Sequence, residues 1–170
     1  ENWRRPRAEI GALFSLLDEF IKTRLTKMIA NGVRIVTSGD ISRLPKKTRE
    51  LLADAIKKTA RNKKLTANFC LNYGARDEIH RAAVSFAEAE RGKKTIRIPT
   101  EKQFRKLLWQ PDLPDVDLLV RTAGELRLSN FMLYQAAYAE LVFTDKTWPD
   151  FSDADVDAAI AEFGRRKRKF

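Results

Sequence analysis

The chain has 170 residues, 33 of them Lys or Arg against 23 Asp or Glu, which leaves a formal charge of +10 with the single His80 neutral; 44% are hydrophobic. That is one domain's length with enough apolar material to close a core, which excludes a mainly disordered chain. One cysteine and one histidine exclude an internal disulfide and a His-rich or Cys-rich zinc site, and no apolar run approaches the ~20 residues a bilayer span needs. From Pro6 to Ala30, apolar residues recur at Ile10, Leu13, Phe14, Leu17, Phe20, Ile21, Leu25, Met28 and Ile29, the three-and-four spacing of an amphipathic helix. Pro6 suits its first turn and Asn31-Gly32 its exit. Val33 to Val36 reads as a short strand ending at Ser38-Gly39-Asp40. A second helix is expected from Pro45 to Asn62 with Leu51, Leu52, Ala55 and Ile56 inward, then a strand from Leu65 to Leu71.

After Asn72-Tyr73-Gly74 a helix covers Arg76 to Glu90, and Gly92 stops it. Thr100 and Gln103 form a capping-box pattern that opens a short helix burying Phe104, Leu107 and Leu108. The apolar run Asp117 to Val120 predicts a buried strand. A helix is expected across Phe131 to Ala139, a strand at Leu141 to Phe143, and last a helix capped by Ser152 that carries Val156, Ile160 and Phe163. Trp109 and Trp148, each near a proline, are expected to cover core edges. Cys70, within a strand, is expected to be a small buried apolar residue.

Strands alternating with helices predict right-handed crossovers and an α/β fold, a single domain over residues 1–170 with a mostly parallel sheet flanked by helices on both faces. Ligands of such sheets bind beyond the carboxyl ends of the strands. The run Arg121 to Asn130 leaves one of those ends and holds two arginines and a serine around Gly124, the makings of an anion cradle, since a guanidinium matches phosphate oxygens bidentately. The competing description is a surface pair of Arg121 with Glu125 and a plain helix cap at Ser129. Glu140 is a candidate carboxylate for Mg²⁺, or an ordinary strand-edge charge. Trp3 with Arg4 and Arg5 is suited to a phosphate beside an apolar group, or is a frayed end. The run Arg165 to Lys169 is expected to be a solvated tail. No G-x-x-x-x-G-K-[ST], G-x-S-x-G or G-x-G-x-x-G occurs, so phosphate chemistry here needs other devices.

Four blocks then go together: Glu1-Asn2-Trp3-x-Arg5-Pro6, Asn72-Tyr73-Gly74-Ala75-Arg76-Asp77-Glu78-Ile79, Arg121-Thr122-x-Gly124-Glu125-x-Arg127-Leu128-Ser129-Asn130-Phe131, and Ala137-Tyr138-Ala139-Glu140. With Phe143-Thr144-Asp145 and Trp148-Pro149-Asp150-Phe151 they closely resemble the cis-prenyltransferases of the undecaprenyl diphosphate synthase type, along the whole chain. The resemblance implies condensation of isopentenyl diphosphate onto an allylic diphosphate such as farnesyl diphosphate, with Mg²⁺, in a homodimer. It implies that Arg121, Arg127, Leu128 and Ser129 bind isopentenyl diphosphate and that Glu140 holds Mg²⁺ across the dimer interface. Asn2 then corresponds to the proton acceptor, with Trp3 and Arg5 lining the substrate site. The first helix becomes a wall for the growing lipid, and a peripheral membrane contact follows from the product.

The family's Asp-Gly-Asn-Gly-Arg loop precedes the block at Glu1 and does not occur in this chain, which is therefore expected to be the C-terminal major part of the domain, with the first strand or strands outside it. Leu126, Ala75, Ala123 and Tyr134 depart from the family's more usual residues. The expected function is an Mg²⁺-dependent cis-prenyltransferase making a polyprenyl diphosphate. The alternative is a catalytically incomplete homolog that serves as a binding or regulatory subunit of a complete synthase. One cysteine and no apolar leader lead to a cytoplasmic expectation. Nucleic acid is not an expected partner, since aromatics interleaved with basic residues and the common RNA-binding patterns are missing.

Overall fold

The computed structural model describes residue 3, residues 5–95 and residues 97–166. Its residues fall into two compact units, Glu1–Tyr73 and Gly74–Phe170. In the first, helix α1 (Arg7–Ala30) follows Pro6 and closes at Asn31, with Gly32 at φ 71° turning the chain into strand β1 (Val33–Ser38). A short 3-10 turn, Ile41–Arg43, is capped by the Asp40 carboxylate, which accepts from the Ser42 amide. Helix α2 (Lys46–Thr59) leads to strand β2 (Leu65–Cys70). β1 and β2 pair in parallel, Val33 opposite Leu65 through Ser38 opposite Cys70.

The core of this unit is Ile21 of α1, Ile35 of β1, Leu44, and Leu52 and Ala55 of α2. Of the four α2 residues expected inward, Leu52 and Ala55 are fully buried, while Leu51 and Ile56 pack around them half-buried. Thr59 is also fully buried: its Oγ1 accepts from the Ile35 amide at 3.0 Å and donates to the Ala55 carbonyl at 2.8 Å, with the Ile56 carbonyl at 3.4 Å. A buried strand amide is thus satisfied by a helix side chain, as burial requires. Cys70 is half-buried rather than buried.

The second unit contains α3 (Ala75–Glu90), α4 (Glu101–Arg105), β3 (Leu118–Arg121), β4 (Glu140–Phe143) and α5 (Asp153–Arg165). β3 and β4 are parallel, Leu118 opposite Glu140 and Arg121 opposite Phe143. The parallel pairing expected from the alternation holds in both units. Both expected caps form: Thr100 with Gln103, and Ser152 with Asp155. Glu78, only 2% exposed, accepts from the Trp109 amide at 3.0 Å and from Gln135 Nε2 at 3.1 Å, fixing two loops to the first turn of α3.

Three expectations are corrected. Residues 131–139 are turns, not a helix: Ser129, Asn130 and Met132 take left-handed φ values of 49°, 62° and 44°, and a right-handed helix cannot propagate through such residues. Trp148 is largely exposed, stacked on Phe151 at 5.9 Å between ring centroids, instead of covering a core edge. α4 stops at Arg105, so of the three residues expected to be buried by that helix Leu108 is buried, Phe104 is half-buried and Leu107 is exposed. Among the described residues no helix is long and apolar enough to cross a membrane.

The Thr59 contacts give a first expected outcome. Thr59→Val keeps the volume but leaves the Ile35 amide without its acceptor, and should lower unfolding stability by about 1–3 kcal/mol. Urea unfolding followed by circular dichroism measures it, with Thr59→Ser as the variant that retains most of the stability.

Candidate functional site

In the first unit the carboxyl ends of β1 and β2 carry Ser38-Gly39-Asp40 and Leu71-Asn72-Tyr73. Gly39 sits at φ 104°, and a Cβ on it would come within 2.2 Å of the Leu71 carbonyl oxygen, so no other residue fits where these two segments cross. Asn72, itself left-handed at φ 47°, donates from Nδ2 to the Asp40 carbonyl at 2.7 Å and accepts from Trp3 Nε1 at 2.6 Å. Trp3 is held on its faces as well: the Arg43 guanidinium lies 5.0 Å over its ring and Phe14 stands 5.9 Å away. Trp3 is therefore a half-buried side chain packed beside the carboxyl end of β2. Arg5 is exposed and pairs with Glu9 one helical turn on. Asn2 lies outside the described residues.

In the second unit Arg121 ends β3. The loop that follows turns back through left-handed Ala123 and Gly124, φ 63° and 64°, and is tied to the loop after β4 by three main-chain bonds. The Ala123 amide donates to Lys146 O at 2.8 Å, the Gly124 amide to Thr144 O at 3.0 Å, and the Thr144 amide to Arg121 O at 3.0 Å. Arg121 Nη2 donates to Ser129 Oγ at 3.4 Å, while its Nε is shut from solvent with no hydrogen-bond partner. Glu125 pairs with Arg127, not with Arg121, so the surface pair that competed with a cradle is not made. Arg127 is largely exposed and Leu128 half-buried. The structure thus joins Arg121 to Ser129 and leaves Arg127 on its neighbouring carboxylate.

Glu140 is the first residue of β4, level with Leu118, and so lies at the other end of the ladder from Arg121, three residues or about 10 Å along the strand. Its Oε2 accepts from Arg166 Nη1 at 2.7 Å, and the same nitrogen donates to the Leu141 carbonyl at 3.0 Å. Arg166 also reaches Glu162; the two carboxylates raise the guanidinium's pKa, and in return Arg165 and Arg166 hold the Glu162 carboxyl below its usual range. Part of the basic run expected to be a solvated tail is therefore structural. Residues 167–170 lie outside the described residues. Among the described residues no group of three or more acidic, His or Cys side chains gathers to cage a metal. A single carboxylate fits a hard cation whose other ligands are substrate oxygens and water, the usual manner of Mg²⁺.

The loop after β4 is itself anchored. Lys146 Nζ bonds Asp155 Oδ1 at 2.6 Å, and the Asp155 carboxylate accepts from the amide and hydroxyl of Ser152, closing the α5 cap. These bonds, the lysine's first, hold the Asp155 pKa down to about 2. Sequence reasoning gave Asn72, Arg43 and Lys146 no role and placed Arg166 in a solvated run. The cap pattern Ser152-x-x-Asp155 was the available signal for one end of the Lys146 pair.

Parallel strand pairs alternating with helices, one pair in each unit, define an α/β protein. The chain matches the family model described as "Putative undecaprenyl diphosphate synthase" over residues 1–170. It is 50% identical over 172 residues to an isoprenyl transferase of Leptospira interrogans, covering 100% of this chain and 71% of that relative. It is 43% identical to an isoprenyl transferase of Bacillus subtilis, covering 66% of it. Among solved structures it is similar to the crystal structure of a probable undecaprenyl diphosphate synthase from Campylobacter jejuni, with TM-score 0.86 and 38% identity, over 99% of this chain and 77% of that one. It is likewise similar to lavandulyl diphosphate synthase from Lavandula x intermedia in complex with dimethylallyl diphosphate, with TM-score 0.90 and 30% identity, over 98% and 73%. The chain belongs to the undecaprenyl diphosphate synthase family, the cis-prenyltransferases, and its activity is prenyl transfer.

The Asp155 bonds set an acid limit on the loop they anchor. A carboxyl depressed to about 2 from the ordinary value of about 3.9 contributes stability that is complete above the unfolded value and is lost as pH falls toward the folded one. A ¹³C titration of the Asp155 carboxyl should therefore show its midpoint near 2. In Asp155→Asn the share of acid destabilisation between about pH 4 and 2 that belongs to this group should vanish. A midpoint near 3.9 would mean that the Lys146 bond does not persist in solution.

Proposed function

We propose that the Arg121 loop is the isopentenyl diphosphate half of the active site, with Arg121, Arg127 and Ser129 on the diphosphate and Leu128 beside the isoprenoid. The observation that carries this is Arg121 itself: a guanidinium at the carboxyl end of a parallel strand, its Nη2 on a serine hydroxyl and its Nε buried without a partner. A buried donor with no acceptor is costly, and an incoming phosphate oxygen relieves it. Arg127, exposed and held by Glu125, can release its carboxylate for a diphosphate, since exposed pairs contribute little.

The reaction this site serves joins isopentenyl diphosphate to an allylic diphosphate, with farnesyl diphosphate as the proposed starter and a polyprenyl diphosphate as the product. The allylic C–O bond breaks, releasing diphosphate. The homoallylic double bond supplies the electrons of the new C–C bond, and a proton leaves the adjoining carbon. Arginines fixed before the reaction stabilise anionic diphosphate without reorganising, which is where their catalytic value lies. Trp3 and Arg5 are proposed to line the allylic side, with Asn2 as the proton acceptor. Leu13, Leu16 and Phe20, exposed apolar residues of α1, support a wall for the isoprenoid chain.

Glu140 is the residue proposed to hold Mg²⁺, and the ion would supply charge neutralisation to the diphosphate. In one chain Glu140 and Arg121 sit at opposite ends of their ladder, which supports a homodimer in which Glu140 serves the cradle of a second copy. A cytoplasmic enzyme touching a membrane surface through its basic residues fits a lipid product, and the charge of +10 supports that contact.

The test is binding and turnover together. Arg121→Ala removes charge-assisted bonds of about 1.5–3 kcal/mol and should weaken isopentenyl diphosphate affinity by about ten- to a hundredfold. Calorimetry on the chain measures the affinity, and incorporation of radiolabelled isopentenyl diphosphate onto farnesyl diphosphate with Mg²⁺ measures turnover in the enzyme that carries it. Equal affinity in wild type, Arg121→Ala and Ser129→Ala would overturn the assignment.

A further inference from the structure

We propose that Asn130 is a positioning residue for the diphosphate cradle, clamping the strained turn that carries Ser129 onto the first turn of α3. The inference rests on the reading of Arg121 and Ser129 above. Helix α3 follows Gly74, which has no side chain with which to cap it. The missing acceptors come from fifty-odd residues along the chain. Asn130 Oδ1 accepts from the Arg76 amide at 2.8 Å and the Asn130 carbonyl accepts from the Ala75 amide at 2.9 Å, so one residue satisfies two of the helix's unpaired donors. The approach is close: a Cβ on Gly74 would stand 2.8 Å from Asn130 Nδ2. Glycine is required there by the clamp and not by its own backbone, whose φ of −153° any residue adopts.

The turn needs holding. Ser129, Asn130 and Met132 are all left-handed, a conformation that asparagine takes more readily than serine or methionine. Downstream, Phe131 to Ala139 is a helix-compatible sequence that does not form its helix. Free of the clamp, Ser129 would relax toward right-handed φ, the helix would extend back through it, and its hydroxyl would leave Arg121 Nη2. The bonds of Asn130 to α3 are what oppose this. Asn130 touches no reacting group; it acts through Ser129.

Two variants test the clamp without adding charge near the cradle. Asn130→Gly keeps a left-handed backbone and the carbonyl acceptor but removes the side chain; Gly74→Ala pushes that side chain away while leaving Asn130 in place. Each should bind isopentenyl diphosphate on the order of tenfold more weakly than wild type, a misplacement effect, at a temperature where circular dichroism shows all three folded. The Arg121 Nε–H resonance, shifted by ligand in wild type, should shift less at equal saturation. Asn130→Asp, read without ligand, should keep the slow exchange of the Arg76 amide that Asn130→Gly loses. Wild-type affinity in both Asn130→Gly and Gly74→Ala overturns the proposal, as does a loss of affinity that tracks loss of folded signal. If wild type itself does not bind isopentenyl diphosphate, the cradle reading fails instead, and the amide exchange still reports whether the clamp exists.

Discussion

The site of the second unit depends on three main-chain hydrogen bonds between the loops that leave β3 and β4. A guanidinium can organise a diphosphate without a glycine-rich phosphate loop or a metal cage only if its position is fixed before the ligand arrives. Arg121 meets that condition from the strand side, because it is the last paired residue of a parallel ladder. The loop meets it from the other side by reversing through Ala123 and Gly124. A left-handed alanine costs about 1–2 kcal/mol, and the bonds to Thr144 and Lys146 together with the Thr144 bond to Arg121 offset it. Lys146 in turn is fixed by Asp155, so the chain of constraint runs from the α5 cap to the guanidinium.

The first unit uses a similar device with different residues. A left-handed residue follows each strand there too, Gly39 after β1 and Asn72 after β2, and the Asn72 side chain bridges the Asp40 carbonyl and the Trp3 indole. Asparagine recurs for a physical reason: it is among the few residues other than glycine that tolerate left-handed φ while offering both a donor and an acceptor. Asn72 and Asn130 each turn the backbone and bond a distant segment in one step. In a parallel fold the strand ends are where such turns fall, which is why ligand sites accumulate there.

The elements were legible where burial sets a period. α1, α2 and α3 and all four strands follow from apolar spacing, and the caps at Thr100 and Ser152 from their side-chain patterns. Residues 131–139 were not legible, because their own propensity is helical and the obstacle is left-handed backbone at Ser129, Asn130 and Met132, with Asn130 bonded to partners more than fifty positions away. In the candidate site, the residue types around Gly124 were readable as an anion cradle, but the choice of partner for Glu125 was not: Arg121 at four residues and Arg127 at two are both within reach, and backbone turning decides for Arg127. Arg166 was hidden in a run of five basic residues, where nothing in the order distinguishes a half-buried anchor from a solvated neighbour.

The Arg166 pair bears on how Glu140 is used. A half-buried carboxylate at a strand start needs a counter-charge, and Arg166 supplies it through a nitrogen that also binds the Leu141 carbonyl, which fixes the carboxylate's position along β4. This leaves the anionic group far along the ladder from the Arg121 guanidinium, so within one chain the two do not neutralise each other. Had they been adjacent, Glu140 would have occupied the Arg121 donors, and a strong internal ion pair would compete with any anionic ligand. Placing the carboxylate at the opposite end of a parallel ladder keeps the arginine's donors open, and on the proposed reading lets a metal-bearing diphosphate draw its arginines and its carboxylate from two copies of the same strand pair.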